Sequence, residues 1–226
     1  MIDISLISAE TPLLDEKTAE TMRGVFQKLE KAVVLKAVVD LKEEKSAQMA
    51  SFLKGIAGLS PKLSLELYSP EESGILSAQT REQGTEIDVS HLPVTGIFVD
   101  GLYQRAAFHG VPGGKEINSF VIGIYNAAGP GQPLSEHDRA AILALPAHEI
   151  DLIVSLTCRI CPDVVTVAQH IAALNPKITV RVRDLVHHGH WKARYHIMGV
   201  PCLIVDGGRD VQFGKKTMKD LLDLLA

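Results

Sequence analysis

Cysteine is scarce in this chain. There are three in 226 residues, all in the C-terminal half: Cys158, Cys161 and Cys202. So low and odd a count excludes a structural disulfide framework and fits a reducing compartment. Basic charge is also scarce. The net charge is −4, which leaves no electropositive footprint for nucleic acid. Met1 to Glu16 contains no Lys or Arg and so lacks the charged start of a secretory signal. No apolar run approaches the length needed to span a membrane. No G-x-G-x-x-G fingerprint follows a strand pattern, so a dinucleotide-binding module is not expected. The expected protein is cytoplasmic, without nucleic-acid or membrane partners. Its hydrophobic fraction of 46% and charged fraction of 22% are those of an ordinary globular chain.

Two of the three cysteines stand in one run, Ser155-Leu156-Thr157-Cys158-Arg159-Ile160-Cys161-Pro162, where an apolar strand pattern gives way to a helix pattern. A two-residue spacing at a helix start lets two sulfurs reach bonding distance with little strain. The unpaired N–H groups and the dipole of the helix start favour a thiolate on the first cysteine. Thiolate is the attacking species in disulfide exchange, and Arg159 adds a nearby positive charge. This makes Cys158 the candidate nucleophile and Cys161 the resolving thiol. Half a zinc site and a pair of inert thiols are the competing readings of the motif alone.

The chain pattern is strand and helix in alternation. Helices are expected over 15–31, 43–58, from Gly113-Gly114 onward, over 135–145, 159–173 and 217–225, with a short one at 188–196. Strands are expected at 33–39, 63–68, 149–156 and 178–182, with hairpins at 97–108 and 202–213. Residues 69–90 show no periodicity and read as a loop. Gly129-Pro130-Gly131-Gln132-Pro133 is the clearest breaker cluster. It divides the chain into 1–130, without cysteine, and 131–226, with the Cys-x-x-Cys. Both parts read helix, strand, helix, strand, strand, strand, helix, so the fold class expected is α/β, two tandem mixed sheets flanked by helices.

Forty residues after the cysteine pair, Met198-Gly199-Val200-Pro201 precedes an apolar strand. This resembles the cis-proline loop of the thioredoxin superfamily, which lies against the cysteine pair and offers backbone groups to a docking peptide. Ser155 to Val165, Leu174-Asn175-Pro176, Met198 to Pro201 and Phe108 to Glu116 together resemble the N-terminal domain of the flavoprotein component of bacterial alkyl hydroperoxide reductase, two tandem thioredoxin-like folds. The resemblance implies a thiol–disulfide oxidoreductase with a redox-active disulfide, Cys158–Cys161, and no further cofactor. It implies a flavin-dependent disulfide reductase as electron donor, and a peroxiredoxin or another protein disulfide as acceptor, in peroxide detoxification. Thr157, Arg159, Val200 and Pro201 would frame the docking site, and Glu116, matching a family glutamate, would serve as acid–base. With no reductase fingerprint in the chain, a free-standing carrier is expected. Two departures from the family stand out. The cis-proline position of the first half falls near Thr95-Gly96, where there is no proline, and Cys202 replaces a small non-thiol residue. A metal-binding or adaptor module using Cys158, Cys161, Cys202 and a histidine from His187, His188, His190 and His196 is the alternative.

Overall fold

The computed structural model describes residues 1–226. In chain order the elements are α1 (Glu16–Phe26), β1 (Val33–Val38), α2 (Glu44–Ala57), β2 (Leu63–Tyr68), α3 (Ser73–Arg81), β3 (Val94–Val99), β4 (Leu102–His109), α4 (Glu116–Ala128), α5 (Glu136–Ala144), β5 (His148–Val154), α6 (Cys161–Leu174), β6 (Ile178–Asp184), α7 (His190–Arg194), β7 (Cys202–Val205), β8 (Asp210–Phe213) and α8 (Met218–Leu225). No helix is long and apolar enough to cross a membrane.

Local chemistry accounts for most boundaries. Asp15 caps α1 by accepting from the Thr18 amide at 2.7 Å, and Ser135 caps α5 from the Asp138 amide at 3.0 Å. Thr217 and Asp220 form a reciprocal capping box at α8. Pro162 occupies the first turn of α6, where its missing N–H costs nothing. The loop expected over 69–90 is corrected. Pro70–Glu72 forms a 3-10 turn and α3 follows it, burying Leu76, Ser77 and Thr80. Only one of those three is apolar, so hydrophobic periodicity carried no signal there.

All eight strands join one sheet, in the order β2-β1-β3-β4-β6-β5-β7-β8. Each half contributes four strands with the same internal pattern. In the first, β1 pairs β2 in parallel and β3 antiparallel; in the second, β5 pairs β6 in parallel and β7 antiparallel. The halves meet where β4 runs parallel to β6, with His109 opposite Arg183.

Period-two alternation sorts side chains to the two faces. Val33, Leu35 and Ala37 of β1, Ile97 and Val99 of β3, and Ile178, Val180 and Val182 of β6 point into one hydrophobic cluster that runs through both halves beneath α2, α4 and α6. The opposite face carries smaller apolar clusters at its two ends. Val38, Phe98 and Leu76 cluster in the first half, and Ile153, Trp191, Cys202 and Ile204 in the second. Between them lies an ionic network. Asp151 accepts from Arg181 Nε at 2.9 Å and Arg183 Nε at 2.7 Å, and Arg183 Nη2 reaches Asp88 of the other half at 2.8 Å. The alternation read at Arg181 and Arg183 therefore marks a polar seam, in which Arg183 is buried.

The helix packing also crosses between the halves. Gly123 of α4 faces Gln169 of α6, and a Cβ there would fall 2.3 Å from Gln169 Oε1. The two helices thus lie close together, with their starting residues, Glu116 and Cys161, both buried.

Candidate functional site

The run after β5 turns once before α6 begins. Cys158 lies in that turn, three residues ahead of the helix, and is partly exposed; Cys161 is the first helical residue and is buried. A helix starting at 159 was expected, and the correction matters. Because Cys158 precedes the helix, the Cys161 amide donates to Cys158 Sγ at 3.2 Å. The Cys158 thiol also faces the Val200 carbonyl at 3.9 Å. The Val200–Pro201 bond is cis. Thr157 and Arg159 flank the turn, with the Thr157 hydroxyl 3.1 Å from that of Ser155. The structure therefore gathers Thr157, Cys158, Arg159, Cys161, Val200 and Pro201 at one end of the sheet.

The first half has a matching junction. Between β1 and α2 the chain runs from Val39 to Glu43 without cysteine. Its own cis peptide bond is Leu92–Pro93, immediately before β3, and not near Thr95-Gly96 as expected. Pro93 precedes its strand as Pro201 precedes β7. Their carbonyls accept equivalent bonds, from Gly110 and from Gly214, each at 2.9 Å. The proline was legible in Leu92-Pro93-Val94, two residues before the position expected.

The start of α4, which carries Glu116, is fastened to the turn that carries the cysteines. The Lys115 amide donates to the Leu156 carbonyl at 2.8 Å. Gly114, at φ 55°, leaves room for that approach; a Cβ would stand 2.5 Å from the Leu156 oxygen. Glu116 is fully buried. One carboxylate oxygen accepts from the Ser119 hydroxyl and the other has no hydrogen-bond partner. Burial pushes this carboxyl up to about 7; the Ser119 hydroxyl opposes the shift and the charge of Asp184 adds to it. Burial also pushes the Cys161 thiol well above the usual range, with the neighbouring Cys158 sulfur and the Glu116 charge acting in the same direction. The site thus sets a buried thiol pushed above its usual range within the field of a buried carboxyl pushed up to about 7.

Cys202 is buried in β7 opposite Ile153, among Trp191, Ile197 and Ile204 on the far face of the sheet. Burial pushes its thiol up to about 11. Cys161 belongs to the main core instead. His188 and His190 converge with His91 and His109 rather than with the cysteines, and no three His, Cys, Asp or Glu side chains form a group that could hold a metal ion. The alternative ligand set of Cys158, Cys161, Cys202 and a histidine is therefore not assembled. Sequence reading missed Asp184, which lies next to the Cys-x-x-Cys turn, and gave His187 only a place in the histidine cluster; their one signal was proximity to the end of a strand.

No known protein-family model matches the chain. It is 28% identical over 185 residues, 81% of its length, to the alkyl hydroperoxide reductase AhpF of Staphylococcus aureus, and 32% identical over 143 residues, 62% of its length, to that of Staphylococcus epidermidis. It spans 32% and 27% of the length of these relatives, respectively. Among solved structures it is similar to the N-terminal domain of the Enterococcus faecalis AhpF, at 36% identity and a TM-score of 0.86, covering 94% of this chain and 100% of that one. A protein disulfide oxidoreductase from Aeropyrum pernix, at 19% identity and a TM-score of 0.79, covers 100% of this chain and 93% of its own and shares the fold. The expected α/β architecture of two tandem thioredoxin-like folds stands on these likenesses, and with them the chain belongs to the family of the N-terminal domain of the alkyl hydroperoxide reductase AhpF.

Proposed function

We propose that this chain relays electrons by dithiol–disulfide exchange, taking them from a flavin-dependent disulfide reductase and passing them to a peroxiredoxin or another protein disulfide. The observation that carries this reading is the placement of Cys158. Its sulfur is partly exposed, receives the Cys161 amide and faces the Val200 carbonyl of the cis-proline loop. In the forward direction the Cys158 thiolate attacks one sulfur of the substrate disulfide. A mixed disulfide forms and the first substrate thiolate leaves. Cys161 then gives its proton to Glu116 and attacks Cys158 Sγ. The Cys158–Cys161 bond forms as the second substrate thiolate departs, and two electrons have passed to the substrate. Val200 and Pro201 frame the entering peptide backbone, with Thr157 and Arg159 at the rim. The sparse, odd cysteine count supports work in a reducing cytoplasm.

The test is to trap the exchange intermediate. Cys161→Ser, incubated with an oxidised peroxiredoxin, should hold it in a mixed disulfide through Cys158 that dissolves on adding dithiothreitol. Cys158→Ser should trap nothing. No adduct with Cys161→Ser would overturn the exchange mechanism. The couple should titrate near about −270 mV, the potential of a thioredoxin-like reductant; a value near about −120 mV would reverse the direction of flow.

A further inference from the structure

One strand residue is held in a conformation that side chains rarely adopt. Arg105 of β4 has φ 58°, and of the four non-glycine residues with positive φ only Arg105 lies within a strand. The cause is a bulge. Tyr103 pairs with Phe98 and Ala107 with Gly96, so four steps along β4 oppose two along β3. Such an irregularity re-aims a side chain, and a left-handed φ at a bulky residue costs stability that glycine would not lose. The position nevertheless holds an arginine, and it lines a cavity of about 990 Å³ on the face of the sheet that carries the ionic network.

Both halves build this cavity. The first supplies Arg105 and residues 84–90, and the second supplies Lys177, Thr179 and Arg181. Ala106 pairs with Val180, so Arg105 lies beside Thr179 across one inter-strand spacing of about 4.8 Å. Lys177 and Thr179 are two residues apart and share one face of the chain. The hydroxyls of Thr85 and Thr179, one from each half, meet at 3.2 Å. Every carboxylate in the lining already holds a basic partner. Glu86 pairs with Arg81, Asp88 with Arg183, Glu149 with Arg181 and Asp206 with Arg209, at 2.6 to 2.9 Å. Arg105 makes one bond, from Nη2 to the Gln83 carbonyl at 2.9 Å, and neither it nor Lys177 forms an ion pair. Two cations, one from each half, are thus left over in one cavity.

We propose that this cavity binds a small polyanion, carrying two or more phosphate or carboxylate groups, held between Arg105 of the first half and Lys177 of the second. The hydroxyls of Thr85 and Thr179 are further donors. Apolar lining is confined to Ile87, Val89, Ala147 and Pro176, which favours a compact, heavily charged ligand over one with aromatic rings. The site is separate from the exchange chemistry. It takes the residues at the start of β5 and before β6, whereas Cys158 follows the far end of β5. A ligand there braces the two halves across their seam.

Calorimetric titration of the full chain in low salt, with pyrophosphate and with citrate, reads the site directly; inorganic phosphate is the single-group comparison. One saturable site per chain is expected, at least about tenfold tighter for a polyanion than for phosphate. Arg105→Gln and Lys177→Gln should each weaken binding about tenfold, the loss of a charge-assisted hydrogen bond. Lys28→Gln removes the same charge from an exposed lysine outside the cavity and should bind as the parent does. Tighter binding of pyrophosphate assigns the site to phosphates, and tighter binding of citrate to carboxylates; either supports it. If Lys28→Gln weakens binding as much as Lys177→Gln, the anion responds only to net charge and the site falls. It also falls if neither probe binds, or if a glutamate-rich peptide binds more tightly than both, since the cavity then belongs to a protein partner. Lys177 is exposed, so Lys177→Gln decides alone should Arg105→Gln not fold.

Discussion

The backbone amide of Lys115 donates to the carbonyl of Leu156 at 2.8 Å, and this bond ties the first helical turn of one half to the cysteine-bearing turn of the other. Glu116, the next residue, is buried at the same junction, and its charge bears on the Cys161 thiol although the first half contributes no cysteine of its own.

The approach depends on Gly114. Its φ of 55° is one that side-chain-bearing residues rarely adopt, and a Cβ would lie 2.5 Å from the Leu156 oxygen. Gly114→Ala should cost about 1–3 kcal/mol in urea unfolding. It should also slow the Cys161-dependent step more than the Cys158-dependent one, because the displaced group is the start of α4. Equal slowing of both phases would show that the contact supports the fold without setting the site.

Glu116 links the site to stability. Its carboxyl is pushed from an ordinary value of 4.5 up to about 7 in the fold. The folded state therefore binds a proton that the unfolded chain has already released over that interval. Its contribution is fully present below about pH 4.5 and is lost as pH rises through about 7, up to roughly 3 kcal/mol. The difference in urea midpoint between the parent and Glu116→Gln, which removes the other titrating groups from the comparison, should therefore fall between about pH 5 and about pH 8. Glu116→Gln should be the more stable form at the alkaline end.

His188 acts in the opposite direction. It is buried near Arg183, His91 and His190, its Nδ1 has no partner, and burial holds it down to about 4. The unfolded chain takes up this proton first as the medium acidifies. Stability should therefore be lost as pH falls from about 6.5 to about 4, by up to roughly 3 kcal/mol. His188→Leu should make that limb of the stability curve shallower. His109, buried opposite Arg183 and also held well below the usual imidazole range, should account for much of what remains.

Asp151 serves two guanidinium groups at once in the polar seam between the halves. Replacing it by Asn leaves Arg181 with Glu149 at 2.7 Å and Arg183 with Asp88 only. The expected loss is about 1.5–3 kcal/mol, since each guanidinium keeps one carboxylate partner but loses charge-assisted hydrogen bonds within a buried seam. Equilibrium urea unfolding would measure it. A loss under about 1 kcal/mol, the range of a solvent-exposed pair, would mean that water already screens the seam.

The amino-acid sequence by itself determined most of the elements and the candidate thiols. Strand and helix periods, the breaker cluster at Gly129 to Pro133, and the pairing of Cys158 with Cys161 before Pro162 are local patterns, set by spacings within a turn or two of chain. Pro201 was legible for the same reason. Where a segment buries few apolar side chains, as in α3, the same local reading failed. Only the tertiary structure decided the rest. That β4 would pair with β6 and draw eight strands into one sheet depends on edges far apart in sequence. That Glu116 would lose its water, that Cys202 would face away from Cys161, and that Asp184 and His187 would border the same turn all follow from how the two halves pack. Burial and proximity set the proton affinity of a carboxyl or a thiol, and both are properties of the assembled fold, beyond the reach of residue order alone.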